Sequence, residues 1–97
     1  MAEERFWYLL CYDIRDPKRW RRCFKLLKGY GRSLQYSIFR CRLTRRQLER
    51  MRWELEKELE EEDSLLIVSL CAGCAERVIA RNTKTDWIEE PPRFRVV

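Results

Sequence analysis

Asp13 is the residue whose type and position best suit it to chemistry. It ends an apolar run of seven aromatic, aliphatic or thiol side chains over residues 6–12, and a group of cations follows it. The run is too short to cross a membrane and is typical of a strand buried on both faces. The sequence has no histidine, the commonest general base, so hydrolysis would depend on carboxylates and a metal ion. The carboxylate at the mouth of this strand is therefore our first candidate for a catalytic group.

The cysteines are the second set of chemically capable residues. They are Cys11, Cys23, Cys41, Cys71 and Cys74. Their odd number and the lack of a visible secretory signal predict reduced thiols in a cytoplasmic protein, several of them acting as small core hydrophobes. Cys71 and Cys74 form the one close pair, but a structural zinc site needs about four ligands. We favour core thiols over a zinc or redox site and leave the role of the pair open.

Length and charge limit the class of protein. The 97 residues suffice for one domain, which we place at residues 1–81, followed by a linker and C-terminal segment over residues 82–97. The net charge of +5 favours a polyanionic partner such as nucleic acid, although a solvated basic surface is the plain alternative. No transmembrane segment or internal repeat is visible, so we expect no membrane partner.

Two helices and several strands must position Asp13. We predict strands over residues 6–13, 35–43, 64–71 and 78–81, and helices over residues 17–28 and 44–60. Asp16 followed by Pro17 starts the first helix, and Thr44 with Gln47 forms a capping box for the second. Because Asp16 supplies the cap, Asp13 is free for another role. Residues 72–73 read as a turn, and the acidic run over residues 58–63 as a solvated helix end.

The fold class that follows is an α+β sandwich with two helices on one face of an antiparallel sheet. Residues 35–43 form either one bent strand or two short strands, because no clear hairpin turn is visible there. The first and third strands are apolar on both sides, so one sheet face stays uncovered. Each large side chain left exposed forgoes roughly 1.5–3 kcal/mol. We therefore expect a two-fold homodimer that packs this face against its copy and brings the two Asp13 side chains together.

Six short motifs, in this order, resemble one known family over about residues 5–81. They are Tyr12-Asp13-Ile14, Asp16-Pro17-Lys18-Arg19, Lys28-Gly29-Tyr30-Gly31, Gln35-Tyr36-Ser37-Ile38-Phe39, Arg42-Leu43-Thr44 and Asp63-Ser64-Leu65. The chain resembles the small CRISPR-associated adaptation proteins of the Cas-two family. That resemblance implies a ferredoxin-like βαββαβ homodimer whose C-terminal strand often adds to the partner's sheet. It also implies action with the Cas-one integrase in spacer capture, and in some members Mg²⁺-dependent endonuclease activity on RNA or double-stranded DNA.

The resemblance also implies roles for individual residues. The family's metal-binding aspartate falls on Asp13, and our hypothesis is that two copies of Asp13 hold one Mg²⁺ across the dimer axis. The predicted supporting residues are Tyr12, Ser37 and Phe39. The predicted nucleic-acid contacts are Arg15, Lys18, Arg19, Arg22, Arg40 and Arg42.

Two other functions remain open on the sequence. One is a non-catalytic dimeric adaptor that holds DNA through the arginines of the first helix and through Arg40 and Arg42. The other is a toxin-like ribonuclease dimer. The sequence does not rank cleavage against scaffolding, nor DNA against RNA.

Overall fold

The computed structural model describes residues 4–79 and 81. Its elements in chain order are β1 (Phe6–Asp13), α1 (Pro17–Lys28), β2 (Gly31–Gln35), β3 (Ile38–Leu43), α2 (Arg45–Glu58), β4 (Ser64–Leu70) and α3 (Ala72–Glu76). The strands form one antiparallel sheet in the order β2-β3-β1-β4. The predicted ferredoxin-like βαββαβ fold is therefore confirmed, with α3 as an addition after β4.

The segment between the two long helices, predicted as one bent strand or two short strands, contains two strands. Tyr36 and Ser37 form the turn between β2 and β3, and the strand register is irregular between Ser33 and Gln35. The turn lacks the glycine or asparagine that usually marks a two-residue hairpin, so no local pattern indicated it. β2 also begins at Gly31, four residues before the predicted strand. A Cβ atom on Gly31 would lie 2.2 Å from the carbonyl oxygen of Arg40, so the close approach of β2 to β3 requires glycine there.

Both long helices begin at the predicted caps. The side chain of Asp16 accepts a hydrogen bond of 2.8 Å from the backbone N–H of Arg19, and Pro17 occupies the first turn. At α2, Gln47 donates its backbone N–H to the Thr44 hydroxyl, and the Gln47 side chain accepts from the Thr44 backbone N–H. These bonds satisfy backbone donors that have no partner within the helix.

The main core lies between the sheet and the two long helices. Alternate residues of β1, namely Tyr8, Leu10 and Tyr12, are buried there because successive strand residues point to opposite faces. The other buried members of this cluster are Ile14, Cys23, Leu27, Phe39, Cys41, Leu43, Met51 and Leu55. This layer fixes the end of β1, where Asp13 lies.

The chain after β4 differs from the prediction. Residues 72–73, predicted as a turn, belong to α3, and residues 78, 79 and 81 of the predicted fourth strand are not in a strand. The reason is a tertiary contact, since Ala75 of α3 is buried against the sheet beside Leu34. The predicted segment over residues 82–97, with its added strand, lies outside the described residues.

The sheet face opposite α1 and α2, here called the open face, is only partly covered. Leu34 and Ala75 form a small buried cluster on it, and Trp7, Leu9 and Leu70 pack against that cluster. Leu66 and Val68, which precede Leu70 on β4, remain exposed. The expectation of a wholly uncovered face is therefore corrected, because α3 shields one end of it.

Candidate functional site

Asp13 is exposed at the last position of β1. By strand alternation it belongs to the open face, and its neighbour across the sheet is Ser64 of β4. On the other side of β1, the backbone N–H of Tyr12 donates to the carbonyl oxygen of Ser37 at 3.1 Å. The candidate site therefore lies where the end of β1 meets the start of β4 and the β2–β3 turn.

The three predicted supporting residues, Tyr12, Ser37 and Phe39, lie at this end of the sheet. The buried Tyr12 hydroxyl donates to the carbonyl oxygen of Tyr36 at 3.0 Å, and burial raises the pKa of that hydroxyl. Phe39 is fully buried, with its ring centroid 6.2 Å from that of Tyr12. Ser37 is half-buried in the turn itself. Their geometry suits positioning of the strand end rather than direct contact with a ligand.

A column of aromatic rings that was not predicted from the sequence leads from the core to the surface near this turn. Phe24 and Trp20 stack with centroids 4.8 Å apart, and Trp20 and Tyr36 stack at 4.4 Å. Tyr36 is 62% exposed. An exposed aromatic ring is the kind of surface on which unpaired bases stack. No sequence signal indicated this column, because the turn that carries Tyr36 was not predicted.

Arg19, predicted as a nucleic-acid contact, is bound to two acids. Its Nε donates to Asp63 Oδ2 at 2.6 Å, and its Nη2 donates to Asp63 Oδ1 and to Glu62 Oε1, both at 3.0 Å. The side chains of Arg19 and Asp63 are 11% and 0% exposed. The guanidinium lowers the pKa of the Asp63 carboxyl, and the carboxylate raises that of Arg19. Arg19 therefore ties α1 to the loop before β4.

The acidic run over residues 58–63 is thus not simply solvated, which corrects the prediction. Besides the partners of Arg19, it contributes Glu58, whose Oε2 accepts from Arg22 Nε at 3.0 Å. Arg22 is more exposed than Arg19, so its pair is weaker. Arg19 and Asp63 are 44 positions apart, and no local pattern in the sequence links them. The nucleic-acid roles of Arg19 and Arg22 stay predictions.

The other predicted cations lie in two places. Arg15 and Lys18 are exposed at the start of α1, close to Asp13 in the chain. Arg42 is exposed on the open face, where it is paired across the sheet with Trp7 at the opposite end of β1 from Asp13. Arg40 is also on this face but only 3% exposed, with its guanidinium carbon 5.6 Å from the Trp7 ring centroid. Arg15 and Lys18 therefore follow Asp13 closely in the chain, whereas Arg42 lies at the far end of β1.

Asp13 is the metal ligand that the resemblance implies for this chain. Within residues 4–79 and 81, no group of three or more His, Cys, Asp or Glu side chains could hold a metal ion. Mg²⁺ takes oxygen ligands and is commonly held by one or two carboxylates while it keeps several waters. Asp13 fits this chemistry as one ligand, and a second copy of Asp13 would supply the other.

The described part of the chain matches a known protein family. The family model for CRISPR associated protein Cas2 matches residues 6–78, from β1 through α3. The chain belongs to the Cas2 family. This is the Cas-two family that its motifs resemble. A Cas2 relative from Rhodospirillum rubrum, named CRISPR-associated endoribonuclease Cas2 1, is 46% identical over 72 residues, which are 73% of this chain and 69% of the relative.

Solved Cas2 structures share the fold. Streptococcus pyogenes Cas2, crystallised at pH 6.5, gives a TM-score of 0.71 at 28% identity over 78% of this chain and 99% of that one. A chain of a structure described as a partial Cas6-RT-Cas1–Cas2 complex gives a TM-score of 0.72 at 21% identity, covering 95% of this chain and 99% of that chain. The second likeness concerns the fold alone. Among the described residues, no helix has the length and apolar character needed to span a bilayer.

Proposed function

We propose that this Cas2 protein acts with the Cas1 (Cas-one) integrase in the capture of new spacer DNA, and that it is a Mg²⁺-dependent endonuclease. The observation that carries the proposal is the exposed Asp13 carboxylate at the end of β1, which the exposed cations Arg15 and Lys18 follow in the chain. Membership of the Cas2 family supports the adaptation role. Relatives named endoribonucleases support cleavage of RNA, and double-stranded DNA is the other substrate that we propose to test.

A homodimer is part of this proposal because, in our hypothesis, two copies of Asp13 hold the metal ion. Leu66 and Val68 leave an exposed apolar patch on the same open face as Asp13. Packing that face against a second copy would bury the patch and bring the two Asp13 side chains towards one axis. Two close carboxylates repel each other, so a divalent cation between them would be stabilising.

Each residue of the site has a separate task in this proposal. The two Asp13 carboxylates hold Mg²⁺, which, when bound, would withdraw charge from a phosphodiester and favour attack by water. Arg15 and Lys18 bind backbone phosphates, which positions the substrate without reading its sequence. The Tyr12, Ser37 and Phe39 contacts keep the end of β1 in place. We also keep the prediction that the protein is cytoplasmic.

A non-catalytic adaptor is the second candidate function. It is favoured by the lack, among the described residues, of any group of three or more metal-ligating side chains, and by exposed cations at the start of α1 and on the open face. In this case the dimer would hold DNA and set the spacing between integrase subunits. Binding would fall steeply with added salt and show little sequence preference.

The deciding experiment compares Asp13→Asn with wild type on single-stranded RNA and on double-stranded DNA, with Mg²⁺ and with chelator. We expect the substitution and the chelator each to abolish cleavage. Asp16→Asn is the matched control, since it makes the same chemical change three residues away and asparagine also caps helices well. Equal cleavage by wild type and Asp13→Asn would refute Asp13 as the catalytic residue.

Spacer acquisition in cells separates the two candidate functions. If Asp13→Asn loses cleavage but supports acquisition together with Cas1, the adaptor function is the biological one. If both are lost while nucleic-acid binding is retained, catalysis at Asp13 is required for adaptation.

A further inference from the structure

The exposed Cys71 and the half-buried Cys74 lie together at the start of α3. Cys71 caps the helix, and its Sγ accepts a hydrogen bond of 3.3 Å from the backbone N–H of Cys74. Arg77 Nη2 lies 3.7 Å from Cys74 Sγ. The role of this pair stays open on the sequence alone. The structure gives it a cation, a backbone donor and access to solvent.

Three of the five thiols differ chemically from Cys71. Burial raises the pKa of Cys11, Cys23 and Cys41, the last to about 11, so these thiols stay protonated and inert near neutral pH. Cys71 is exposed, and the neighbouring Cys74 thiol, the Cys74 amide and the Arg77 charge lower its pKa. The thiolate is the reactive form of cysteine. Of these thiols, Cys71 is therefore the one best suited to react.

A metal site explains the pair less well than redox chemistry does. Zinc in a structural site takes about four ligands, and in the described part of the chain no third His, Cys, Asp or Glu joins these two. Two thiols separated by two residues at a helix start are, by contrast, the arrangement found in thiol–disulfide exchange motifs.

We propose that Cys71 and Cys74 are a redox-active dithiol that closes to an intramolecular disulfide by exchange with a small-molecule disulfide of the glutathione class. The Cys71 thiolate attacks one sulfur of the small disulfide, forming a mixed disulfide and releasing one thiolate. Cys74 then loses its proton and attacks Cys71 Sγ, which releases the second thiolate. In total the protein loses two protons and two electrons. The small disulfide takes them up and becomes two thiols.

The position of the pair connects this chemistry to the open face. Ala75 follows Cys74 directly and is buried beside Leu34, so α3 packs on the sheet through the residue next to the dithiol. A bond between Cys71 and Cys74 would constrain the first turn of α3 at that contact. Oxidation should therefore slow hydrogen exchange of the α3 amides. This inference does not depend on nuclease activity.

The test treats the reduced full-length protein with oxidised glutathione near neutral pH, followed by acid quenching and mass spectrometry. We expect a product lighter by two hydrogen atoms, with a linked 71–74 peptide and with Cys11, Cys23 and Cys41 still free to react after denaturation. A stable glutathione adduct on the wild-type protein, or no reaction at the pair, would overturn the proposal.

Single variants identify the attacking and the resolving thiol. Cys74→Ser should stop at a glutathione adduct on Cys71, because no second thiol can displace it. Cys71→Ser should react much more slowly at Cys74. Cys11→Ser is the control and should form the disulfide as wild type does. If Cys74→Ser instead accumulates glutathione mainly on the other cysteines, the assignment of Cys71 as the reactive thiol is wrong.

Discussion

Replacing Leu66 by alanine should weaken the proposed homodimer without unfolding the protein. Leu66 points from β4 to the open face and is 60% exposed in the single chain, so it contributes little to the folded monomer. Full burial of a leucine side chain contributes about 1.5–3 kcal/mol. Burying the exposed six-tenths would therefore contribute about 1–2 kcal/mol per copy and about 2–4 kcal/mol for two copies.

The expected change is large enough to measure. Since about 1.4 kcal/mol corresponds to a tenfold change in Kd, the dimer Kd should rise roughly 30- to 700-fold in Leu66→Ala. Sedimentation equilibrium over a range of protein concentrations gives this value for wild type and variant. Urea denaturation of the same samples would check that the variant still folds.

Trp53→Ala is the matched control. Trp53 is 62% exposed, almost the same as Leu66, but it lies on α2, which packs on the other face of the sheet, and its ring faces the Lys57 ammonium at 3.9 Å. Removal of this ring should leave the dimer Kd unchanged. A wild-type protein that stays monomeric at all concentrations, or an equal loss of dimer in both variants, would refute packing through the open face.

Two further predictions concern stability. Because the folded pKa of Asp63 is lowered by Arg19, this carboxylate stabilises the protein above the ordinary carboxyl pKa of about 3.9, and the contribution is lost as pH falls through the lower folded value. The difference in free energy of unfolding between wild type and Asp63→Asn should therefore shrink on acidification from pH 6 to pH 3, and a constant difference in urea titrations would contradict this. Gly31→Ala should lower the free energy of unfolding by at least about 1–3 kcal/mol, because the new Cβ would lie 2.2 Å from the Arg40 carbonyl oxygen and 2.6 Å from Cys41 Sγ. Gly73→Ala, whose Cβ would meet nothing closer than 4.0 Å, should not be destabilised; equal stability of the two variants would show that β2 can move away from β3.

The sequence predicted those elements whose signals are local. The starts of α1 and α2 followed from Asp16 and from Thr44 with Gln47, and both caps form the expected hydrogen bonds. β1 and β4 followed from their apolar runs. The β2–β3 turn escaped because Tyr36 and Ser37 carry no turn signal, and the turn is held by a long-range bond from the Tyr12 hydroxyl.

The site was predictable in its position more than in its electrostatics. The place of Asp13 at a strand end follows from the apolar run that precedes it. The pairing of Arg19 with Asp63 does not, because it joins α1 to a loop 44 residues later. α3 was missed for a similar reason, since the burial of Ala75 on the sheet is a tertiary contact.

The ion pairs of α1 limit what its positive charge can contribute to nucleic-acid binding. A cation that binds DNA phosphates releases condensed counterions, and the dependence of affinity on salt counts those phosphate contacts. Arg19 and Arg22 already neutralise protein carboxylates, so phosphates must compete with Asp63, Glu62 and Glu58 for them. Arg15, Lys18 and Arg42 face no such competition among the ion pairs described above. The number of phosphates that this surface can neutralise is therefore smaller than its number of basic residues.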